Sequence, residues 1–159
     1  MVRTALLLIL ALSPLTANGA VCVGLSAPVA GPVVTGFAPT GTYAGHWGID
    51  YDAEPGQVVR AAAAGWVSFS GIVAGNRTVT VDHGGELKTS YSYLAEVWVR
   101  RGAAVSTGSV VGTSGTLHGQ ETPGLHFSTR IDGAYVDPSK LLGCPAFSIP
   151  AALHLVPAQ

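Results

Sequence analysis

Hydrophobic and polar positions divide this chain into two unlike parts. From Thr4 to Leu12 the residues form a nearly unbroken apolar run, after the basic start Met1-Val2-Arg3 and before Pro14 and the small-residue stretch Ala17-Asn18-Gly19-Ala20. Beyond it, no 3.6-residue periodicity persists for more than a turn or two. Short β-branched and aromatic runs alternate instead with Gly, Pro, Asn and Asp, the pattern of strands and tight turns. It predicts strands over 33–37, 57–60, 66–72, 78–81, 86–94, 125–131 and 134–136, with shorter apolar pieces at Val97–Val99, Val105 and Val110–Val111 set off by turns at Gly102 and Gly108. Turns are expected at Gly75-Asn76 and, as a hairpin, at Asp132-Gly133. Residues 23–32 read as an irregular lead-in and 38–44 as a loop. Ala61 to Ala64 is helical by propensity, but Gly65 stops it at once. Asp137 as N-cap and Pro138 at the first helical position open a short turn of helix through Leu142. The expected fold is all-β: a compact antiparallel sheet, sandwich or barrel-like, with a short C-terminal helical turn.

Composition supports one domain. The 159 residues are 48% hydrophobic and 11% charged, ample for a core. The first twenty residues have the layout of a secretory signal peptide, and their apolar run falls short of the roughly 20 residues that span a bilayer. The expected organisation is a signal peptide at 1–20, a β domain at 21–144 and a loosely attached tail at 145–159, without a transmembrane span once the signal is cleaved. Of 8 basic and 9 acidic residues, Arg3 leaves with the signal, so 7 against 9 gives a net charge of −2. That charge gives no case for nucleic acid or an anionic membrane. Cys22 and Cys144 lie near the two ends of the mature chain, and in an oxidising compartment they read as one structural disulfide. Its ring of about 120 residues corresponds to roughly 4–5 kcal/mol in the chain-entropy model.

The chemistry begins at Gly45-His46-Trp47-Gly48-Ile49-Asp50. In an extended segment, residues an even number apart share a face, so His46 and Asp50 can converge. Neutral imidazole and carboxylate both suit a zinc ion. A third ligand is needed, and His126 in Leu125-His126-Phe127 supplies it. A strand histidine between large apolar residues is more often a hydrogen-bonded core residue, but a waiting His/Asp pair shifts that balance. Three protein ligands with an open fourth position make the catalytic zinc arrangement, in which bound water becomes a usable nucleophile near neutral pH.

With those residues in place, the chain resembles the M23 peptidase family, the lysostaphin/LytM-like zinc endopeptidases that cut peptides of bacterial peptidoglycan. The matching segments, in family order, are Gly45 to Asp50, Pro55 to Val67, Val81-Asp82-His83-Gly84-Gly85, Thr89 to Leu94, Val110-Val111-Gly112, Leu125-His126-Phe127 and Val136-Asp137-Pro138. The resemblance covers roughly residues 28–142. It implies an antiparallel β fold with zinc in a groove, held by His46, Asp50 and His126, and a peptidoglycan peptide as substrate. It also marks two departures. The family's histidine two residues before the last ligand is Gly124 here, and its histidine before the Leu of a Tyr-x-His-Leu segment is Tyr93. Strand alternation puts position 124 on the face of His126, so its glycine is expected to leave a gap over the metal. Tyr93 can donate its hydroxyl to a developing oxyanion but is a poor base. His118, in a Gly-His loop six residues before Gly124, can fold over the vacant place as base. His83 reads as structural, and Ser92 lacks a serine-hydrolase context. Two functions follow: an exported, monomeric zinc metallopeptidase of peptidoglycan, or a catalytically impaired zinc-bound relative that binds wall peptides or regulates a partner cell-wall hydrolase.

Overall fold

The structure is a computed structural model and describes residues 24–42, 44–117 and 122–143. These residues build a ten-stranded antiparallel sheet and a separate two-stranded one. The strands are β1 (Val33–Thr35), β2 (Ala38–Pro39), β3 (Gly45–His46), β4 (Ile49–Tyr51), β5 (Val58–Arg60) and β6 (Gly65–Val73), then β7 (Asn76–Asp82), β8 (Leu87–Val97), β9 (Ala104–Val105), β10 (Val110–Thr116), β11 (Pro123–Ile131) and β12 (Ala134–Val136). The large sheet runs β1-β4-β11-β10-β8-β7-β6-β9, with β11 also pairing β8 and β12, and β5 pairing β10. β2 and β3 form the small sheet. The all-β expectation holds.

Period-2 burial explains the sheet. Val79 and Val81 of β7, Tyr91 of β8, Ile49 of β4, and Leu125 and Phe127 of β11 are almost wholly buried on the core side. Residues between them turn to the other face, where Thr78 and Thr80 meet Ser92 and Ser90 through hydroxyl pairs at 3.1 and 2.9 Å. A strand that is apolar on one side and hydroxylated on the other can bury the first and offer the second to a ligand. The Tyr91 hydroxyl lies in the core and accepts the Ala62 N–H at 2.7 Å, and burial pushes its pKa up to about 12. Ala61 to Ala64 forms no helix, and Ala61 and Ala62 are core residues.

Several boundaries differ from expectation. Val73 pairs with Asn76, so the β6–β7 turn is Ala74-Gly75, one residue earlier than expected, with φ of 47° and 84°. Two successive positive φ values make the primed turn that suits a two-residue hairpin. The Asp132-Gly133 turn is where it was expected, at φ 51° and 75°. The 38–44 loop carries β2, which pairs with β3 and fixes the approach to His46. β10 is longer than the expected Val110–Val111 because Gly112 and Gly115 are strand residues. A Cβ on Gly112 would lie 2.1 Å from the Glu96 carbonyl oxygen, so the glycine marks close backbone approach and not a turn. The helical turn is a 3₁₀ helix at Pro138–Lys140, shorter than expected, with Asp137 accepting the Ser139 N–H. The proposed signal, Cys22, Cys144, His118 and the tail lie outside the described residues.

Candidate metal centre

Two neighbouring strands place two of the three candidate ligands. Register pairs His126 of β11 directly with Asp50 of β4, and Ser92 of β8 lies on the other side of His126. Leu125 and Phe127 point into the core, so His126 must point to the opposite face, and Ile49 and Tyr51 impose the same on Asp50. His46 arrives differently. The spacing predicts His46 and Asp50 on one extended segment, but the chain bends at Trp47-Gly48 between β3 and β4. Gly48 permits the bend to pass under His126: a Cβ there would lie 2.7 Å from two atoms of the imidazole and 2.5 Å from the Phe127 carbonyl oxygen.

The three side chains meet closely. Asp50 Oδ1 lies 2.8 Å from His126 Nδ1 and 3.1 Å from His46 Nε2, and the two imidazole nitrogens are 3.1 Å apart. Among the described residues these three form the group whose potential ligand atoms all lie within 4.8 Å of one another. The other ring nitrogen of His46, Nδ1, faces the Gly36 carbonyl at 2.7 Å. A proton donated there leaves the Nε2 lone pair directed inward, the orientation a metal-ligating histidine needs. The Asp50 side chain is 3% exposed, against 15% and 16% for the histidines, so the carboxylate forms the floor of the site. Burial raises its pKa, but the hydrogen bond and charge of His126, then those of His46, outweigh this and hold the carboxyl below its ordinary value.

Tyr93 overlooks the centre from a strained position. Leu94 pairs with Arg77 and Ser92 with Thr78, leaving Tyr93 as the extra residue of a β-bulge, with φ at 65°. A bulky residue in this left-handed region carries strain of order 1–3 kcal/mol, and such outliers gather at functional sites. The bulge turns the phenol ring edge-on to His126, with ring centroids 6.3 Å apart. Burial, then the charge of Asp50, raises its pKa, so the hydroxyl keeps its proton. A groove of about 250 Å³ runs over His46 and His126, bordered by Trp47, Asn76, Thr78, Ser92 and Tyr93. Trp47 is held as a wall by the Ala44 carbonyl, by Phe37 and by Tyr135.

The expected gap at Gly124 is filled. A Cβ on Gly124 would lie 2.6 Å from Leu117 Cδ1 and 2.7 Å from the Tyr51 carbonyl oxygen. Strand alternation alone could not reveal this, because Leu117 comes from the end of the neighbouring strand, where Gly115 pairs with Gly124. His83 is away from the centre, between the Ala64 carbonyl and the Thr89 hydroxyl, both at 2.8 Å. Neither the Gly36 carbonyl nor Leu117 carries a chemical signature, so their roles emerge only from the fold.

The sequence profile of peptidase family M23 matches residues 44–138. An uncharacterized Mycobacterium tuberculosis protein is 39% identical over 104 residues, covering 62% of this chain and 41% of its own length. The DD-carboxypeptidase/endopeptidase Mpg of Neisseria meningitidis is 36% identical over 94 residues, covering 58% of this chain and 22% of its own. The chain thus spans less than half the length of these curated relatives. A crystal structure of a putative M23 peptidase from Pseudomonas aeruginosa superposes with a TM-score of 0.65 at 31% identity, over 79% of this chain and 52% of that one.

Proposed function

The chain belongs to peptidase family M23, and from that premise we propose that it is an exported zinc metallopeptidase hydrolysing peptide bonds in bacterial peptidoglycan. The observation that carries the reading is the convergence of His46 Nε2, Asp50 Oδ1 and His126 Nδ1 beside an open groove. Two imidazole nitrogens and a carboxylate oxygen at 2.8–3.1 Å bring lone pairs together, which require a proton or a cation among them. Zinc bonds of about 2.0–2.1 Å to such atoms imply tetrahedral edges of about 3.3 Å, close to the observed spacing. The donor set therefore fits zinc, which His46, Asp50 and His126 would hold. Bound there, zinc would polarise the scissile carbonyl and bring the pKa of a bound water toward neutrality.

The chain's own residues supply the rest. Asp50 places a buried negative charge beneath the site, and the Gly36 carbonyl holds the His46 tautomer. Tyr93 donates its hydroxyl to the oxygen that gains charge as the carbonyl is attacked. We assign the proton-accepting role to His118, which follows Leu117 in the segment joining β10 to β11. The Thr78, Ser92 and Asn76 border offers hydrogen bonds to an extended peptide backbone. Among the described residues no helix is long and apolar enough to cross a membrane. Export through the signal peptide, a monomeric mature chain and a cell-envelope location complete this reading.

A second reading has its own support. The two positions where the family resemblance expects histidines hold Tyr93 and Gly124, and Leu117 fills the space at the latter. A zinc-bound relative that holds wall peptides, or regulates a partner cell-wall hydrolase, needs the ligands and the groove but not those histidines. Incubation of zinc-loaded protein with purified peptidoglycan, followed by separation of released fragments, decides between them. New amino termini are expected from the peptidase; sedimentation with the wall and no released peptide would establish the binder.

A further inference from the structure

Arg77 stands where the groove leaves the candidate metal centre. Two clefts meet at Asn76 and Tyr93. One lies over His46 and His126; the other, of about 360 Å³, is bounded by Arg77, Ala95, Gly115 and Thr116. The Tyr93 bulge separates them, and Arg77 pairs across the sheet with Leu94, the next residue. A guanidinium Nη of Arg77 donates to the Ala95 carbonyl at 3.0 Å, which lays the side chain over β8. Guanidinium carries five N–H donors in a planar fork, so this bond engages one of them and leaves donors for a ligand.

None of the described residues bounding this cleft is acidic, and none of the ion pairs among the described residues uses Arg77. The other polar side chains bounding it, Asn76, Tyr93 and Thr116, are neutral hydrogen-bonding partners. An always-charged planar fork in a cleft that continues the groove matches one ligand chemistry best, a carboxylate taken in bidentate fashion.

We infer that Arg77 and its cleft form a carboxylate-binding subsite, one step along the groove from His46 and His126, which selects anionic peptides. The inference takes its ligand class, a peptide, from the function proposed above. The carboxylate has two possible sources: the free C-terminus of a peptide ending just past the metal, or an acidic side chain within a longer one. The first makes the protein a remover of terminal residues; the second makes it a reader of acidic positions.

The test is binding to the full mature chain, with zinc content measured beforehand. Four synthetic peptides serve as probes: acetyl-Lys-D-Ala-D-Ala as free acid and as C-terminal amide, and an amidated acetyl-Ala-Glu-Ala beside its Gln counterpart. Tighter binding of an acid by about tenfold, the scale of a charge-assisted hydrogen-bond pair, is expected within one pair, and the pair concerned identifies the source. Arg77→Gln should abolish that preference, and Arg77→Lys should keep part of it. Equal binding within both pairs, no measurable binding of any probe, or an equal loss for all four in Arg77→Gln each overturns the subsite. A protein that holds no zinc overturns the peptidase reading by itself, because the acid-over-amide preference is measured without turnover.

Discussion

Asp50 and His126 face each other directly across β4 and β11, with the carboxylate Oδ1 2.8 Å from the imidazole Nδ1. Their contact is a consequence of register. Leu125 and Phe127 on one strand, and Ile49 and Tyr51 on the other, lock both residues onto the outer face. In the proposed metal centre, the charge at this pair would hold the cation. Asp50→Asn keeps the shape and removes the negative charge, and His126→Ala removes a ligand. The parent is expected to carry one zinc per chain and both variants to lose most of it, as read by plasma mass spectrometry after dialysis. An intact parent protein without zinc would refute the metal centre.

Gly48 is the tightest point beneath that pair. Any side chain here meets the His126 imidazole at 2.7 Å and the Phe127 carbonyl at 2.5 Å, and the backbone oxygen cannot swing away as a flexible side chain can. Gly48→Ala is therefore expected to displace His126 and destabilise the fold by about 1–3 kcal/mol, the usual range for overpacking. Paired measurements of melting temperature and zinc affinity check this. An alanine variant with both values unchanged would show that the bend does not hold the imidazole.

How much of this could be read from the chain depends on what carries each feature. The His46, Asp50 and His126 set was legible because metal chemistry restricts residue type and because strand alternation survives in Leu125-His126-Phe127. β10 runs past the expected Val110–Val111 because Gly112 and Gly115 allow the backbone of β8 to approach, a long-range contact with no local signal. The Tyr93 bulge left no trace either, since nothing in the local sequence asks an aromatic residue to adopt φ of 65°. The pairing of β8 with β7 imposes it from outside. The filling of the Gly124 position by Leu117 is equally non-local, set by the β10–β11 pairing.

The first and last described segments meet at Leu25 and Leu142. Leu25 donates its N–H to Leu141 and accepts that of Gly143, at 2.9 and 3.1 Å. Cys22 and Cys144 are three and two residues beyond this parallel bridge in sequence. We predict that they form the disulfide, seen as a 2 Da mass difference on reduction of the mature chain. Reduction is expected to lower the melting temperature, with roughly 4–5 kcal/mol as the ceiling from loop entropy. Two free thiols in oxidised protein would remove this prediction.

His83 makes stability depend on pH. Burial holds its pKa below the ordinary 6.5, against the opposing effects of the Ala64 carbonyl and the Asp82 charge. The folded state therefore favours the neutral ring, whereas the unfolded chain takes up a proton near 6.5. The stabilisation is fully present above pH 6.5 and falls away as pH drops below it toward the lowered folded value. Asp50 and Asp82 have lowered pKa values and stay ionised through this range. Melting temperature should decline between pH 6.5 and 5 in the parent and change less in His83→Gln, with metal chelated in both. Parallel curves for the two proteins would assign the decline to other groups.

Tyr93 sets stability against function. Its left-handed backbone costs of order 1–3 kcal/mol in a bulky residue, and glycine adopts the same φ without that penalty. Tyr93→Gly is thus expected to melt no lower than the parent, despite losing the ring contact with His126. Tyr93→Phe keeps the ring and the strain and removes only the hydroxyl. If that hydroxyl stabilises developing charge, kcat should fall by about 10²–10³, the range for one lost oxyanion donor, with KM nearly unchanged. The two variants separate the roles: glycine reports the strain, phenylalanine the chemistry. Full activity in Tyr93→Phe would leave the phenol as a wall of the groove and place the whole of the polar assistance on His118, where His118→Ala would then have to abolish turnover.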